Sequence, residues 1–217
     1  MENNQLVERL KNCYTGAIYD VLRERGIKNT ILPHNIKSID PSKKLAGVIW
    51  TCSGEIDETL DKDTSMLSWT NMLSQAPSNS VVICQPNDGT IAHMGELSAE
   101  TLKYKGVKGY IVDGGCRDVD FILNLEFPVF CKYFTPSDVV ERWKISTLGE
   151  TINIGGVNIK SGDFVLGDID GVIIIPKEIA NEVISETEEY INTESALRKE
   201  ILSGVDPKEA YLKYRVF

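Results

Sequence analysis

The sequence predicts an α/β fold, and three observations carry that prediction. Segments with apolar residues at helical spacing alternate along the chain with short apolar runs bounded by turn residues. The stretch GELSAETLKYKGVKGYIVDGGCRD, residues 95–118, packs a helix, a buried strand and a polar turn into one short unit. The 217 residues, 42% of them hydrophobic, suffice for one substantial core, with no shift in composition and no long linker. A single domain over residues 1–217 is therefore expected.

The elements follow in order. Leu6 to Arg25 carries apolar residues at helical spacing and stops at Gly26. Leu45 to Cys52 reads as a strand leaving toward Ser53-Gly54, Thr64 to Ser74 as a helix, and Val81 to Cys84 as a short buried strand. In the central unit, Leu97 to Tyr104 is helical, Gly106 and Gly109 form the stop and turn, and Tyr110 to Val112 is a strand that empties at Asp113-Gly114-Gly115. VDFILNL suggests a further short helix, and Val129 to Phe134 a strand behind the boundary residue Pro128. Thr151 to Ile159, the turn Ser161-Gly162-Asp163, Phe164 to Gly167 and Val172 to Ile175 form a strand cluster with hairpin-like breaks. Asp168 and Asp170 of GDIDG are read as turn formers, because the run lacks the alternating ligands and terminal Glu of a calcium loop. Pro176-Lys177-Glu178 opens a long charged helix to about Leu202, stopped at Ser203-Gly204. There is no internal repeat and no low-complexity segment.

A net charge of −9 argues against a nucleic-acid surface, since phosphate binding needs clustered Lys and Arg; the most basic fragment, Lys213-Tyr214-Arg215, is too sparse. No apolar run approaches the length of about 20 residues that spans a bilayer, and MENNQLVERLKN lacks a signal-peptide core. A cytoplasmic protein without nucleic-acid or membrane partners is expected. Cys13, Cys52, Cys84, Cys116 and Cys131 are odd in number and mostly embedded in apolar stretches, which reads as reduced core cysteine. Cys116 stands apart beside Arg117: either the guanidinium lowers its pKa, or it is a spacer in a tight turn. His34 and His93 are not at metal-ligand spacing; His93, three residues before Glu96, either lines a pocket mouth or is a satisfied loop histidine.

The chemistry concentrates in the central unit. Because a βα-type unit returns the chain beside itself, Glu96 at the helix start and Arg117-Asp118 past the strand are expected to face one pocket. The first-turn N–H groups of Leu97 and Ser98 are free to bind a carboxylate, which Arg117 grips through its planar fork. Asp118 offers hard oxygen for Mg²⁺ or Mn²⁺. The same residues admit a purely structural account: Glu96 complementing the helix dipole, Asp118 capping the helix of VDFILNL, and Arg117 pairing with a carboxylate.

The central unit also resembles the core signature of the RraA-like family, which includes the regulator of ribonuclease activity A and class II pyruvate aldolases acting on 4-hydroxy-4-methyl-2-oxoglutarate and similar oxo acids. The resemblance extends upstream to TGAIYDVLRERGI and KSIDPSKKLAGVIWTCSG, and downstream to IGGVNIKSGDFVLGDIDGVIIIPKE and GVDPKEAYLKYRVF. It implies a swivelling β/β/α sandwich. The aldolase branch carries an acid separated by twenty residues from an Arg-Asp pair, as Glu96 is from Arg117-Asp118 here, whereas the regulator branch is expected to carry Gly at the first position.

By that resemblance Arg117 binds the carboxylate and keto oxygen of a pyruvate-like moiety, Asp118 holds the metal directly, and Glu96 positions or deprotonates a water held by the metal. Two departures stand out: Glu96 occupies a place usually held by Asp, and Phe121 a place usually held by an acid, with Asp120 one position earlier. The resemblance further implies a homotrimer or dimer of trimers, with the C-terminal helices, residues 177–217, in the interface and a glutamate, best matched by Glu194, reaching a neighbour's site. For Glu194 the alternative is a solvated helix face. Three functions are compatible with these residues. The first is a divalent-metal lyase that cleaves 4-hydroxy-2-oxo acids or decarboxylates oxaloacetate through a shared pyruvate enolate. The second is a non-catalytic regulator binding a ribonuclease or helicase. The third is another enzyme of sugar-acid catabolism using the same grip.

Overall fold

The computed structural model describes residues 2–217. The chain opens with helices α1 (Glu2–Lys11) and α2 (Thr15–Glu24), followed by β1 (Lys37–Ser38), β2 (Leu45–Ile56), α3 (Lys62–Gln75), β3 (Ser80–Gln85), α4 (Glu96–Tyr104) and β4 (Gly109–Val112). Next come β5 (Gly115–Cys116), α5 (Val119–Leu125), β6 (Val129–Cys131), β7 (Tyr133–Phe134), β8 (Trp143–Leu148), β9 (Ile152–Ile154), β10 (Val157–Ile159), β11 (Phe164–Gly167) and β12 (Val172–Ile175). A 3₁₀ turn (Lys177–Ile179) leads into α6 (Ala180–Leu202) and α7 (Pro207–Tyr214).

Eight strands form one mixed sheet in the order β1-β6-β4-β3-β2-β11-β12, with β8 also paired to β2. The β2-β3-β4-β6 pairs are parallel and joined by α3, α4 and α5, as crossover connections require. β2 is long enough to serve two partners along one edge: its first half pairs with β11 and its second half with β8. The change of register falls between Ser53 and Gly54. Gly54 is there because the Trp143 ring occupies the space of a side chain; a Cβ would lie 1.9 Å from its Cζ2.

Side-chain alternation along these strands builds the layers. Val82, Cys84, Tyr110 and Val112 face Trp69, Met72, Leu102 and Ile122 of α3, α4 and α5. Ala46, Phe164, Leu166, Ile173 and Ile175 face α1, α2 and α6. The intervening residues, Ile49, Val81, Ile83, Ile111 and Val165, turn to the opposite face and pack on the β9–β10 hairpin through Ile152, Ile154, Val157 and Ile159. The result is a three-layer arrangement of helices, main sheet and small sheet, the β/β/α sandwich that the family resemblance implies. α6 is also tied to the N-terminal helices by Arg9 on Glu188 (2.7 Å) and Arg25 on Glu182 and Glu186 (2.9 and 2.5 Å).

Two local expectations need correction and a third gains a contact. The helical pattern from Leu6 to Arg25 is two helices, broken at Asn12-Cys13-Tyr14, with apolar spacing that continues across the break because Leu10, Cys13, Ile18 and Val21 all enter the same core. The Val129–Phe134 run is two strands in different sheets, because the chain leaves β6 at Lys132, whose N–H is bonded to Gly114 O. Asp168 is a turn former with a further role: its carboxylate is buried and accepts from the Thr15 N–H and hydroxyl (2.9 and 2.8 Å), which fixes the start of α2.

Candidate functional site

The site is assembled where two loops leave the parallel strands. The segment after β3 runs beside β5, with His93 N–H bonded to Gly115 O and Arg117 N–H bonded to Met94 O, both at 2.9 Å. This places Gly95, the residue before α4, against Arg117-Asp118: a Cβ on Gly95 would stand 2.8 Å from Asp118 Oδ2 and 3.1 Å from Arg117 Cγ. Only a residue without a side chain permits that approach. Asp118 Oδ2 then accepts from the Glu96 N–H and from Arg117 Nε, each at 3.2 Å.

Asp118 adopts φ 56°, ψ 37°, in the left-handed region, and its side chain makes no capping bond to α5 although it occupies the N-cap position. The capping account of Asp118 therefore fails; its carboxylate turns to Arg117 and α4 instead. Asp and Asn enter this region more readily than other non-glycine residues, as Asn29, Asn79 and Asn87 also do here.

Arg117 has a second carboxylate that sequence reasoning missed. Its Nη1 donates to Asp138 Oδ2 at 2.9 Å, and the two flanking acids, Asp118 foremost, raise its pKa. Asp138 lies in the turn Thr135-Pro136-Ser137-Asp138, twenty-one residues from Arg117, and no spacing motif marks it. Arg117 Nη2 has no protein hydrogen bond among the described residues and is free for a ligand.

Glu96, Leu97, Ser98, Arg117 and Asp118 line one cavity of about 380 Å³ between α3 and α4, together with Asp138 and Trp69. The structure thus brings together every predicted site residue except Glu194. One detail differs from expectation: the first free N–H of α4, that of Glu96, is already held by Asp118, so an incoming carboxylate is left Leu97 and Ser98. Ser98 Oγ is oriented by Trp69 Nε1 at 2.9 Å.

Glu194 sits on α6, accepting from the Tyr14 hydroxyl and from Arg198 at 2.5 Å, away from the lining of this cavity. Asp120 and Phe121 lie on the exposed side of α5 and do not line it either. Cys116 is fully buried, and a thiol–thiol hydrogen bond with the free Cys131 together with burial raises its pKa well above the usual thiol value. The reactive-thiol account is overturned, and the turn-spacer account stands. His93 fits neither expectation. It is fully buried, edge-on to Trp143 at 5.2 Å, with Asp88 Oδ2 3.5 Å from Nε2 and both ring nitrogens without a hydrogen bond. Burial pulls its pKa down to about 4, so it is neutral at neutral pH.

The donor set suits a largely hydrated hard cation. Among the described residues no three His, Cys, Asp or Glu side chains group closely enough to enclose a metal. Mg²⁺ ordinarily keeps several waters and takes one or two carboxylates plus substrate oxygens. Asp118 Oδ1, which has no hydrogen bond among the described residues, offers one such ligand at the cavity wall.

Comparison with known proteins agrees with this architecture. Residues 15–174 match the sequence model of the family described as RraA-like, Aldolase/RraA. A Halalkalibacterium halodurans protein provisionally named 4-hydroxy-4-methyl-2-oxoglutarate aldolase is 32% identical over 65% of this chain and 67% of its own. A crystal structure described as novel cellulases from microbes associated with the gut ecosystem is 36% identical, with a TM-score of 0.85 over 90% of this chain and 88% of the other. Streptomyces coelicolor RraAS2, described as an unusual member of the RNase ES inhibitor RraA protein family, shares the fold, with a TM-score of 0.80 at 24% identity over 90% and 98%. The chain spans between 34% and 67% of the length of the curated relatives it matches. No described helix is long and apolar enough to cross a membrane.

Proposed function

The chain belongs to the RraA-like family, and from that premise we propose that it is a divalent-metal-dependent carbon–carbon lyase that releases pyruvate from 4-hydroxy-2-oxo acids or from oxaloacetate. The observation that carries this reading is the convergence of Glu96, Arg117, Asp118 and the start of α4 on one cavity. Arg117 Nη2 and the N–H groups of Leu97 and Ser98 bind the substrate's C1 carboxylate and orient the adjacent keto oxygen. A Mg²⁺ or Mn²⁺ ion held at Asp118 would supply a Lewis acid for the charge that develops on that oxygen.

Glu96 lines the cavity with no side-chain hydrogen bond among the described residues, and it accepts the proton of the C4 hydroxyl. The C3–C4 bond then breaks, its electron pair moves to C3 to give the pyruvate enolate, and C4 leaves as a carbonyl. Return of a proton to C3 completes pyruvate. Glycoside hydrolysis fits less well, since it needs two carboxyl groups flanking a sugar ring, whereas Asp118 and Asp138 both rest on Arg117.

Pyruvate release from a panel of oxo acids tests the reading. Turnover is expected to fall at least about a hundredfold in excess EDTA and to return with Mg²⁺, because only oxygen ligands are offered and the enolate needs a Lewis acid. Undiminished turnover in chelator would remove the metal from the reaction. No pyruvate from any substrate would leave a non-catalytic binding role.

A trimer with shared sites belongs to the same proposal, with Glu194 completing the cavity of a neighbour. Mixing inactive Glu194→Ala subunits with inactive Arg117→Ala subunits then regenerates some native sites. For random exchange from equal amounts, about a quarter of sites receive both residues, so about a quarter of wild-type activity should return. Failure to recover activity after exchange is demonstrated by mass spectrometry assigns Glu194 to its own chain, where it holds Tyr14.

A further inference from the structure

The start of α4 is left bare by its neighbours. Gly95 stands at the N-cap, where the closeness of Asp118 and Arg117 permits no side chain, so no capping oxygen reaches the N–H groups of Leu97 or Ser98. Both residues line the cavity, and neither N–H has an intrahelical partner. Helical side chains lean toward the N-terminus of their helix, which carries the Ser98 hydroxyl back toward the same opening.

That hydroxyl has a set direction. An indole N–H donates and never accepts, so in the 2.9 Å bond between Trp69 Nε1 and Ser98 Oγ the serine oxygen is the acceptor. Its own proton must point elsewhere, and among the described residues it meets no acceptor. Met94 O, the carbonyl one turn back to which a helical serine would otherwise donate, already receives the Arg117 N–H at 2.9 Å.

Trp69 is held in place from behind. Its ring is 7% exposed and lies edge-on to Trp143, with centroids 5.9 Å apart, and Trp143 Nε1 is anchored on Pro86 O at 2.8 Å. α3, which carries Trp69, is braced by Ser65 and Ser68, whose hydroxyl oxygens accept the N–H groups of Glu141 (3.0 Å) and Ile145 (2.9 Å). All of these contacts lie within one chain, so the hydroxyl is aimed whether or not a neighbour borders the cavity.

Resting on the lyase reading above, we infer that the Ser98 hydroxyl donates to the C1 carboxylate of the substrate, and that Trp69 is the positioning residue that aims it. A carboxylate offers about four acceptor positions. The N–H groups of Leu97 and Ser98 and Arg117 Nη2 leave room for one more donor, and a bond to an anionic oxygen is stronger than one to a neutral acceptor. The C1 carboxylate carries the same charge before and after C3–C4 cleavage. The added bond therefore stabilises ground state and transition state alike and shows in KM rather than in kcat.

Ser98→Ala is expected to raise KM for the fastest oxo acid of the panel, and the inhibition constant of pyruvate, each by about tenfold, with kcat changed by less than about twofold. Neither constant depends on how much of the variant folds. Trp69→Phe keeps an aromatic ring but not the donor, and returns the hydroxyl to about three staggered positions; it should raise both constants about threefold in the native background and leave them unchanged in Ser98→Ala. A tryptophan that served packing alone would act equally in both backgrounds. Constants within about twofold of wild type in Ser98→Ala, or a Trp69→Phe effect of the same size in both backgrounds, overturns the inference while pyruvate release by the wild-type protein keeps the lyase reading. No pyruvate from any oxo acid with the wild-type protein removes the lyase reading and the inference with it.

Discussion

Arg117→Lys is expected to lower kcat/KM for pyruvate release by about two to three orders of magnitude while the protein stays folded. The substitution keeps the positive charge but not the fork. Arg117 performs three tasks at once: Nε holds Asp118, Nη1 holds Asp138, and Nη2 remains for substrate. A lysine ammonium is a point charge on a flexible stem and cannot span two carboxylates and a ligand in fixed directions. Losing two charge-assisted hydrogen bonds, each about 1.5–3 kcal/mol, accounts for the magnitude. Steady-state kinetics combined with circular dichroism would check it. A folded lysine variant with near-native kinetics would show that Arg117 only braces the loop.

The central unit was legible because each of its parts has its own local signal. Helical spacing marks Ala99 and Leu102, the glycines mark the stops, and the apolar run marks β4. The meeting of Glu96 with Arg117-Asp118 followed from βα geometry, since short crossovers return the chain to the same end of the sheet. What stayed hidden depends on contacts remote in sequence. β8 was missed because Trp143 is its one fully buried residue and Ile145 and Leu148 pack only partly buried against the same core, so the apolar alternation in WKISTL is short. Asp138 was missed because its partner is a single side chain twenty-one positions away, and a lone acid in a Pro-Ser turn looks like any loop acid. The fate of His93 is likewise tertiary: its ring fills space left by Gly114, where a Cβ would lie 2.7 Å from Nδ1.

Asp118→Asn should abolish most pyruvate release, by at least about a hundredfold, and weaken Mn²⁺ binding, yet leave thermal stability within a few degrees of wild type. The two halves of this expectation come from different atoms. The backbone at residue 118 is left-handed, a conformation that costs most residues about 1 kcal/mol or more and that asparagine tolerates well. An asparagine side-chain oxygen still accepts from the Glu96 N–H and Arg117 Nε, so the loop junction is retained. What disappears is the negative charge, and with it the anionic oxygen available to a hard cation and the full ion pair with Arg117. A purely structural Asp118 predicts the opposite pattern, with activity kept because asparagine preserves both hydrogen bonds. Calorimetric titration with Mn²⁺, thermal melts and turnover on the same preparation separate the accounts, and an Asp118→Asn protein with wild-type metal affinity and turnover would remove Asp118 from the chemistry.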